Sequence, residues 1–291
     1  MDIPDERKVH STPTPRVGGI AMVLGAFIPI LLWAPMSQFV KSILIGSGII
    51  VFFGLVDDTR NIGFKIKFIA QIIAALIVIQ YGGLKIQSLG ALTEKGYLLP
   101  VWISIPFTLL VIVGVTNALN LSDGLDGLAG GISLITFICI GYLAYLSKFQ
   151  ACEIIAVAMV GAIFGLLRYN THPAVVFMGD SGSQLLGFFV ITISLALTQG
   201  DNQLSPVLPL FLVGMPIIDT LWAIIRRIKL RMSPFIADKN HFHHKLMHLG
   251  LFHSESVMSI YILHASFVYM ALIFRSKSEW FLLALYVLFS G

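Results

Sequence analysis

Two adjacent carboxylates, Asp57 and Asp58, follow the second long apolar run of the sequence. A solvated pair of acids at a membrane interface is the plain alternative, but the carboxyl end of a helix disfavours negative charge. Adjacent carboxylates also repel, which raises the pKa of one of them toward a range suited to proton abstraction. A metal ion or a nearby cation such as Lys67 would offset the charge. We therefore predict that both are catalytic, and the sequence leaves open which one is the base.

The densest polar segment carries two carboxamides and two carboxylates at intervals of three residues: Asn117, Asn120, Asp123 and Asp126. Asn, Asp and Gly are ordinary turn residues, which explains part of the pattern. Turn formation does not explain two spaced carboxylates that adjoin apolar runs. Such hard oxygen donors suit either Mg²⁺ with a nucleotide diphosphate or hydrogen bonds to a base and a ribose. The spacing leaves both alternatives open.

An isolated carboxylate, Asp180, lies between two glycines just before another apolar run. Ser181 or Ser183 could cap the helix that begins here, and we expect such a cap in any case. The amino-terminal end of a helix also favours an anion such as a diphosphate or a metal-bound phosphate. Asp180 is therefore predicted to be a metal ligand.

Three histidines, His241, His243 and His244, lie in the longest and most basic loop. Zinc is disfavoured because no cysteine is near and the spacing is not that of a zinc site. We predict that they donate to phosphate oxygens and gain charge when the phosphate binds. The alternative is a solvated basic loop at anionic lipid headgroups, which suits Arg226, Arg227, Lys229 and Arg231.

Asp219 lies within the eighth apolar run, three residues after Pro216. An ionisable group there is costly and usually has a partner or a function. Arg226 is seven residues later on the same helical face, so a structural ion pair explains Asp219 as well as catalysis does. The sequence leaves its role open.

Apolar segments long enough to cross a membrane must position these side chains. The 291 residues are 57% hydrophobic and 12% charged, with a mean hydropathy of +0.88. Backbone groups in lipid must be satisfied within each span, which favours helices. We predict an all-α integral membrane protein, a single polytopic domain over residues 1–291. About ten spans are predicted: 18–36, 39–56, 64–82, 98–117, 128–146, 152–168, 183–199, 205–225, 257–274 and 278–290.

Charge predicts the orientation of this bundle. Thirteen of the nineteen Lys and Arg residues fall in five alternate loops: 1–17, 57–67, 117–127, 168–182 and 226–256. Positive charge favours the cytoplasmic side, so the catalytic loops are predicted to face the cytoplasm. The pI of about 9.1 then reflects topology and not a nucleic-acid partner. Cys139 and Cys152 lack a redox or metal-ligand spacing and are predicted to be packing residues.

Five motifs occur together: Pro13 to Gly19, Asp57-Asp58, Asn117 to Gly127, Met178 to Ser183 and His241-x-His243-His244. Their order and separations resemble the polyprenyl-phosphate N-acetylhexosamine-1-phosphate transferases (glycosyltransferase family 4). The sequence looks like the WecA/TagO branch. The related MraY branch typically has three consecutive histidines and a Thr after Met-Gly-Asp, whereas here Phe242 separates the histidines and Ser181 follows Asp180.

The resemblance implies roles for the residues on the phosphate side. Asp57 and Asp58 match the pair thought to activate the lipid phosphate. Asn120 and Asp180 match positions implicated in binding Mg²⁺ and the diphosphate, with Mn²⁺ as an alternative ion. Lys67 matches a lysine that contacts phosphate.

The resemblance also implies roles on the nucleoside and sugar side. Asp123 and Asp126 match positions near the nucleoside, with Asn117 supporting their loop. The residues that match sugar- and phosphate-side histidines are His241, His243 and His244.

The implied reaction is transfer of GlcNAc-1-phosphate from UDP-GlcNAc to undecaprenyl phosphate in the bacterial plasma membrane, with release of UMP. It would form the first lipid-linked intermediate of a cell-envelope glycan. Alternatives are an MraY-type phospho-MurNAc-pentapeptide transferase, a polytopic transporter and a non-catalytic scaffold, and a homodimer is left open. Members of the family usually begin with a helix before the segment that here starts at Met1, and we expect that helix to be absent.

Overall fold

The computed structural model describes residues 14–60, 62–94, 97–200, 204–232 and 241–290. Part of the Pro13 to Gly19 motif and part of the basic loop before His241 lie outside the described residues. Over the described ranges the chain is helical, with no β-strand. The helices are α1 (Gly18–Trp33), α2 (Gln38–Arg60), α3 (Phe64–Gln80), α4 (Val101–Leu121), α5 (Leu128–Leu146), α6 (Gln150–Asn170), α7 (Gly179–Thr198), α8 (Leu208–Leu212), α9 (Gly214–Lys229), α10 (Phe242–His248), α11 (His253–Phe274) and α12 (Glu279–Ser290).

The prediction of an all-α, multi-pass membrane protein is confirmed. Among the described residues, six helices are long and apolar enough to cross a membrane: α2, α4, α5, α6, α7 and α11. Two further apolar helices, α1 and α12, are shorter. The predicted count of about ten spans therefore stays a prediction.

Several predicted spans differ from the observed helices, and two of the differences bear on the site. The span 205–225 is divided at Val213, whose backbone leaves the helical region, into α8 and α9. Gly214 and Pro216 follow the break, and a proline cannot donate the hydrogen bond that would continue a helix across it. The span 98–117 is extended, because α4 continues to Leu121. Asn117 and Asn120 consequently lie on the last turns of a helix instead of in a loop.

Helix α7 occupies the centre of the bundle. Every residue from Ser181 to Thr198 is buried, and α7 packs against α1, α2, α4 and α5. A helix that is apolar on all sides is stable only where other helices or lipid surround it. The amino-terminal end of α7, which carries Asp180, is thereby fixed at one end of the bundle.

Glycines allow two helices to approach the start of α7. A Cβ on Gly54 of α2 would lie 2.5 Å from the Ser181 Cα, and one on Gly19 of α1 would lie 2.7 Å from the Gly182 nitrogen. Before α1, the chain pairs with the segment that precedes α7: the Phe177 N–H donates to the Pro15 carbonyl at 2.9 Å. These contacts explain why the first and fourth motifs occur together.

We expect Gly54→Ala to destabilise the protein, because the added methyl group meets backbone atoms of α7 that cannot rotate away. Overpacking of this kind typically costs about 1–3 kcal/mol. The measurement is the thermal unfolding midpoint of the purified protein in detergent. Gly48→Ala is the matched control, because a Cβ at Gly48 of the same helix meets nothing within 4 Å. Equal midpoints for the two variants would contradict this account of the packing.

Candidate active site

A lysine joins carboxylates from two other helices. The Lys67 Nζ of α3 lies 3.0 Å from the Asp57 Oδ2 of α2 and 2.8 Å from the Asp180 Oδ2 of α7. Three predicted site residues from separate stretches of the sequence thus meet at one end of the bundle. Their contact brings two carboxylates together, which is stable only because the ammonium group lies between them.

Asp58 makes different contacts from its neighbour Asp57. The Asp58 Oδ1 accepts the Asp180 N–H at 2.8 Å, and its Oδ2 accepts the Ser181 N–H at 3.2 Å and the Ser181 hydroxyl at 2.9 Å. Gly179 adopts a φ of +72°, and a Cβ there would lie 2.6 Å from the Asp58 Oδ2. The carboxylate of one helix therefore caps the amino-terminal end of another.

This cap corrects one expectation from the sequence. Neither Ser181 nor Ser183 caps α7 in the ordinary local way. The Ser181 hydroxyl donates to Asp58, and the Ser183 hydroxyl donates to the Gly179 carbonyl at 3.0 Å. A carboxylate that is distant in sequence, and not a local serine, takes the capping position.

The Asn120 side chain joins α4 to the start of α7. Its Nδ2 donates to the Ser183 hydroxyl at 2.8 Å, and its interactions extend to the Asp180 carboxylate. The two residues predicted to bind metal, Asn120 and Asp180, are thus neighbours. A carboxylate and a carboxamide oxygen are ligand types that Mg²⁺ accepts.

Buried carboxamides continue from Asp180 into the bundle. The Gln184 Nε2 donates to the Asp180 Oδ2 at 3.2 Å, and the Gln71 Nε2 donates to the Gln184 Oε1 at 2.9 Å. The Asn117 Nδ2 donates to the Gln71 Oε1 at 2.5 Å and to the Val113 carbonyl at 2.8 Å. The side-chain amide of Asn117 is therefore hydrogen-bonded within the protein, to groups of α3 and α4.

Gln184 was not predicted as a site residue. A signal was present, because Gln71 and Gln184 follow Lys67 and Asp180 by four residues each. Side chains four residues apart lie on the same face of a helix.

Asp123 lies in the loop between α4 and α5. Burial raises the pKa of Asp123 to about 7, and the nearby carboxylates of Asp180, Asp58 and Asp126 add to the effect. The predicted carboxylates thus form one acidic region. The Asp57 Oδ1 in this region is buried and has no hydrogen-bond partner in the described part of the chain.

Asp126 ties three segments together. Its Oδ2 lies 2.8 Å from the His172 Nδ1 and accepts the Ala174 N–H at 3.1 Å, while its own N–H donates to the His253 Nε2 at 3.2 Å. The two histidines were not predicted as site residues. The contact spans more than 120 residues, and nothing in the local sequence indicates it.

Asp126, His172 and His253 together could hold a metal ion by distance, since one ligand atom from each lies within 4.8 Å of the others. The two rings, however, stack at 4.1 Å with an interplanar angle of 20°. The lone pairs of two stacked rings lie in nearly parallel planes about 4 Å apart, so one ion cannot lie in the plane of both rings, and the His253 Nε2 already accepts an N–H. The arrangement is better described as a hydrogen-bonded tie.

The histidine segment packs against the loop that carries Asp123. His241 and His243 are buried, and a Cβ on Gly124 would lie 2.2 Å from the His243 Nε2. Burial lowers the pKa of His243 to about 3, and the adjacent His244 and His241 add to the effect. His243 is therefore neutral here, unlike the charged donor predicted from the sequence. Asp219 contacts His241 at 2.8 Å.

The fold and the site together define a multi-pass membrane protein with a lysine-bridged acidic centre at the ends of its helices. The chain belongs to glycosyl transferase family 4, whose model matches residues 40–198. Prediction of the family from the five motifs is thereby confirmed.

Curated relatives match nearly the full chain. It is 38% identical over 293 residues to a probable undecaprenyl-phosphate N-acetylglucosaminyl 1-phosphate transferase of Bacillus subtilis (strain 168), covering 99% of this chain and 80% of that protein. It is 32% identical over 302 residues to the undecaprenyl-phosphate alpha-N-acetylglucosaminyl 1-phosphate transferase of Escherichia coli (strain K12), covering 99% and 81%. A decaprenyl-phosphate N-acetylglucosaminephosphotransferase of Mycobacterium leprae (strain TN) is 35% identical over 291 residues, covering 89% and 73%.

We expect Asp123→Asn to stabilise the protein more at pH 8 than at pH 5. The pKa of Asp123 in the folded protein is about 7, above the ordinary 3.8. Stability from the neutral acid is present below pH 4 and is lost as the pH rises through 7. Solvent screens this partly exposed group, so we expect a gain of about 1–4 kcal/mol at pH 8.

The measurement is the difference between the unfolding midpoints of the variant and the wild type at pH 5, 6, 7 and 8. Glu153→Gln, at the opposite end of α6 from Asn170, is measured beside it as the control. A difference that is the same at every pH for Asp123→Asn would contradict the raised pKa.

Proposed function

We propose that the protein transfers GlcNAc-1-phosphate from UDP-GlcNAc to undecaprenyl phosphate and releases UMP. The observation that carries this proposal is the contact of Lys67 with Asp57 and Asp180 from three separate helices. An acidic centre with one ammonium group, at the end of a membrane bundle, suits a water-soluble diphosphate meeting a lipid phosphate. The relatives named above, which are undecaprenyl-phosphate N-acetylglucosaminyl 1-phosphate transferases, support this choice of donor and acceptor.

The residues of the centre fit a divalent cation. The Asp57 Oδ1 is buried and unpartnered among the described residues, so a positive group would satisfy it. Asp180 and Asn120 are the proposed ligands of Mg²⁺, with Mn²⁺ as an alternative, because both supply hard oxygen atoms. The bound ion would neutralise diphosphate charge and make UMP a better leaving group.

Lys67 and Asp57 are proposed to act on the phosphates. The Lys67 ammonium group has three N–H donors, of which two meet carboxylates, so one remains for a phosphate oxygen. Asp57 keeps the lipid phosphate deprotonated. An oxygen of the lipid phosphate attacks the phosphorus next to the sugar. The bond between that phosphorus and the bridging oxygen breaks, and the bridging oxygen leaves with UMP. Since the second pKa of a phosphate monoester is about 6, positioning contributes more than proton removal.

Asp58 is proposed to position the reacting groups. Both of its oxygens accept hydrogen bonds from the start of α7, which holds Asp180 in place. Asp57 is thus the better candidate for the base. It is also the better candidate nucleophile if the reaction runs in two steps through an aspartyl phosphate.

The remaining predicted residues are assigned to the other parts of the substrates. We place the nucleoside near Asp123 and Asp126, with Asn117 as support for α4. The sugar and its phosphate are placed near the histidine segment formed by His241, His243 and His244. The centre is proposed to face the cytoplasm from the bacterial plasma membrane, since thirteen of nineteen basic residues lie in the loops on that side.

Transfer of phospho-MurNAc-pentapeptide is the second candidate reaction. Phe242 within the histidine motif and Ser181 after Asp180 favour GlcNAc, as do the names of the relatives. A transporter would place its polar groups near the membrane midplane, whereas these acidic groups lie at helix ends.

We expect purified protein to release UMP from UDP-GlcNAc only when undecaprenyl phosphate and Mg²⁺ are both present. Asp57→Asn and Asp180→Asn should each lower kcat by at least about 100-fold, because each removes a charge that positions the phosphates or the cation. Glu153→Gln should retain wild-type turnover, because Glu153 lies at the other end of the bundle. EDTA should abolish release and excess Mg²⁺ should restore it.

Three outcomes would overturn parts of this proposal. Release of UMP without the lipid phosphate would show that undecaprenyl phosphate is not the acceptor. Full activity of Asp180→Asn at low Mg²⁺ would remove the metal assignment. Turnover of UDP-MurNAc-pentapeptide or UDP-GalNAc in preference to UDP-GlcNAc would change the substrate.

A further inference from the structure

Asp219, whose role the sequence leaves open, contacts the start of the histidine segment. Its Oδ2 lies 2.8 Å from the His241 Nδ1, and its Oδ1 accepts the Phe242 N–H at 2.8 Å. Both side chains are largely buried, with 12% of Asp219 and 7% of His241 exposed. Each carboxylate oxygen thus has a separate partner in α10 or at its start.

We infer that Asp219 is a positioning residue that fixes the tautomer and the ring orientation of His241. The inference rests on the proposed function for its catalytic consequence, but its structural part stands on these contacts alone. Asp219 acts through His241 and is not itself placed against a substrate.

The tautomer follows from the chemistry of the pair. An ionised carboxylate can only accept hydrogen bonds, so the proton of a neutral His241 must be on Nδ1. The Nε2 then carries the free lone pair, and it becomes a donor only when the ring is protonated. The Nε2 of His241 is therefore the ring nitrogen that remains available to a substrate group.

The neighbouring histidine is not equivalent. The His243 Nε2 is buried against Gly124 and has no hydrogen-bond partner among the described residues. No carboxylate contact within hydrogen-bonding distance is seen for His243 in that part of the chain. The two rings are parallel, with centroids 5.9 Å apart.

Two substitutions separate the cap of α10 from the tautomer of His241. Asp219→Asn can keep an oxygen for the Phe242 N–H, but it places an NH₂ donor against the His241 Nδ1. The proton of the neutral ring must then move to Nε2. Asp219→Ala removes both contacts and tests the cap together with the tautomer. Thr220→Val, the next residue, is the control, because the Thr220 hydroxyl is buried without a partner in the described chain.

The first measurement is the ¹⁵N NMR spectrum of the full-length protein labelled at histidine, with the His241 signals assigned by their loss in His241→Gln. We expect a proton on Nδ1 in the wild type and in Thr220→Val, and a proton on Nε2 in Asp219→Asn. This readout needs no turnover. It therefore stays informative if the protein fails to use UDP-GlcNAc, which would count against the proposed function only.

The second measurement is the kinetics of UMP release. We expect Asp219→Asn to lower kcat at least about tenfold with KM for UDP-GlcNAc and the unfolding midpoint near wild-type values, because the cap is kept. Asp219→Ala should lower kcat further and also lower the midpoint. An unchanged tautomer in Asp219→Asn would overturn the inference. So would a loss of activity in that variant that only follows a loss of stability, since Asp219 would then be a cap alone.

Discussion

The site depends on one electrostatic constraint, namely that two carboxylates can lie close together only if a cation lies between them. Lys67 meets this requirement for Asp57 and Asp180. The constraint dictates much of the surrounding packing, because the carboxyl end of α2 and the amino-terminal ends of α3 and α7 must lie at the same level. Glycines at the helix contacts allow that approach, and the buried position of α7 prevents its end from shifting.

In the described structure, a carboxylate from one helix caps the start of another helix at two places. Asp58 of α2 accepts hydrogen bonds from the start of α7, and Asp219 of α9 accepts one from the start of α10. The first N–H groups of a helix have no partner within the helix, and the helix dipole favours an acid there. A carboxylate from a neighbouring helix satisfies both requirements at once. It also couples the position of each helix that carries site residues to the helix that supplies the cap.

The sequence predicted the parts of this molecule that depend on composition and on local pattern. Apolar runs predicted membrane helices, and the acidic motifs together with the family resemblance predicted that Asp57, Lys67 and Asp180 belong to one site. Contacts between distant segments could not be predicted. Asp219 had a plausible partner on its own helical face in Arg226, yet its carboxylate accepts from His241. Some predicted helix ends were also wrong. Hydropathy locates the apolar run, but tertiary contacts can continue a helix beyond that run, as they do at Asn120.

The adjacent carboxylates show why structure was needed to distinguish residues that look alike in sequence. Consecutive residues of an α-helix are rotated by about 100° around its axis, so neighbouring side chains cannot face the same group. Asp57 consequently meets the Lys67 ammonium group and keeps one oxygen without a partner among the described residues. Asp58 meets the backbone of α7 with both oxygens. Repulsion alone would make the two carboxylates equivalent, but helix geometry gives them different partners. Asp57 keeps an oxygen for a further partner, whereas both oxygens of Asp58 already accept hydrogen bonds. Neither residue can replace the other, because exchanging their roles would require α2 to rotate against the glycine contact at Gly54.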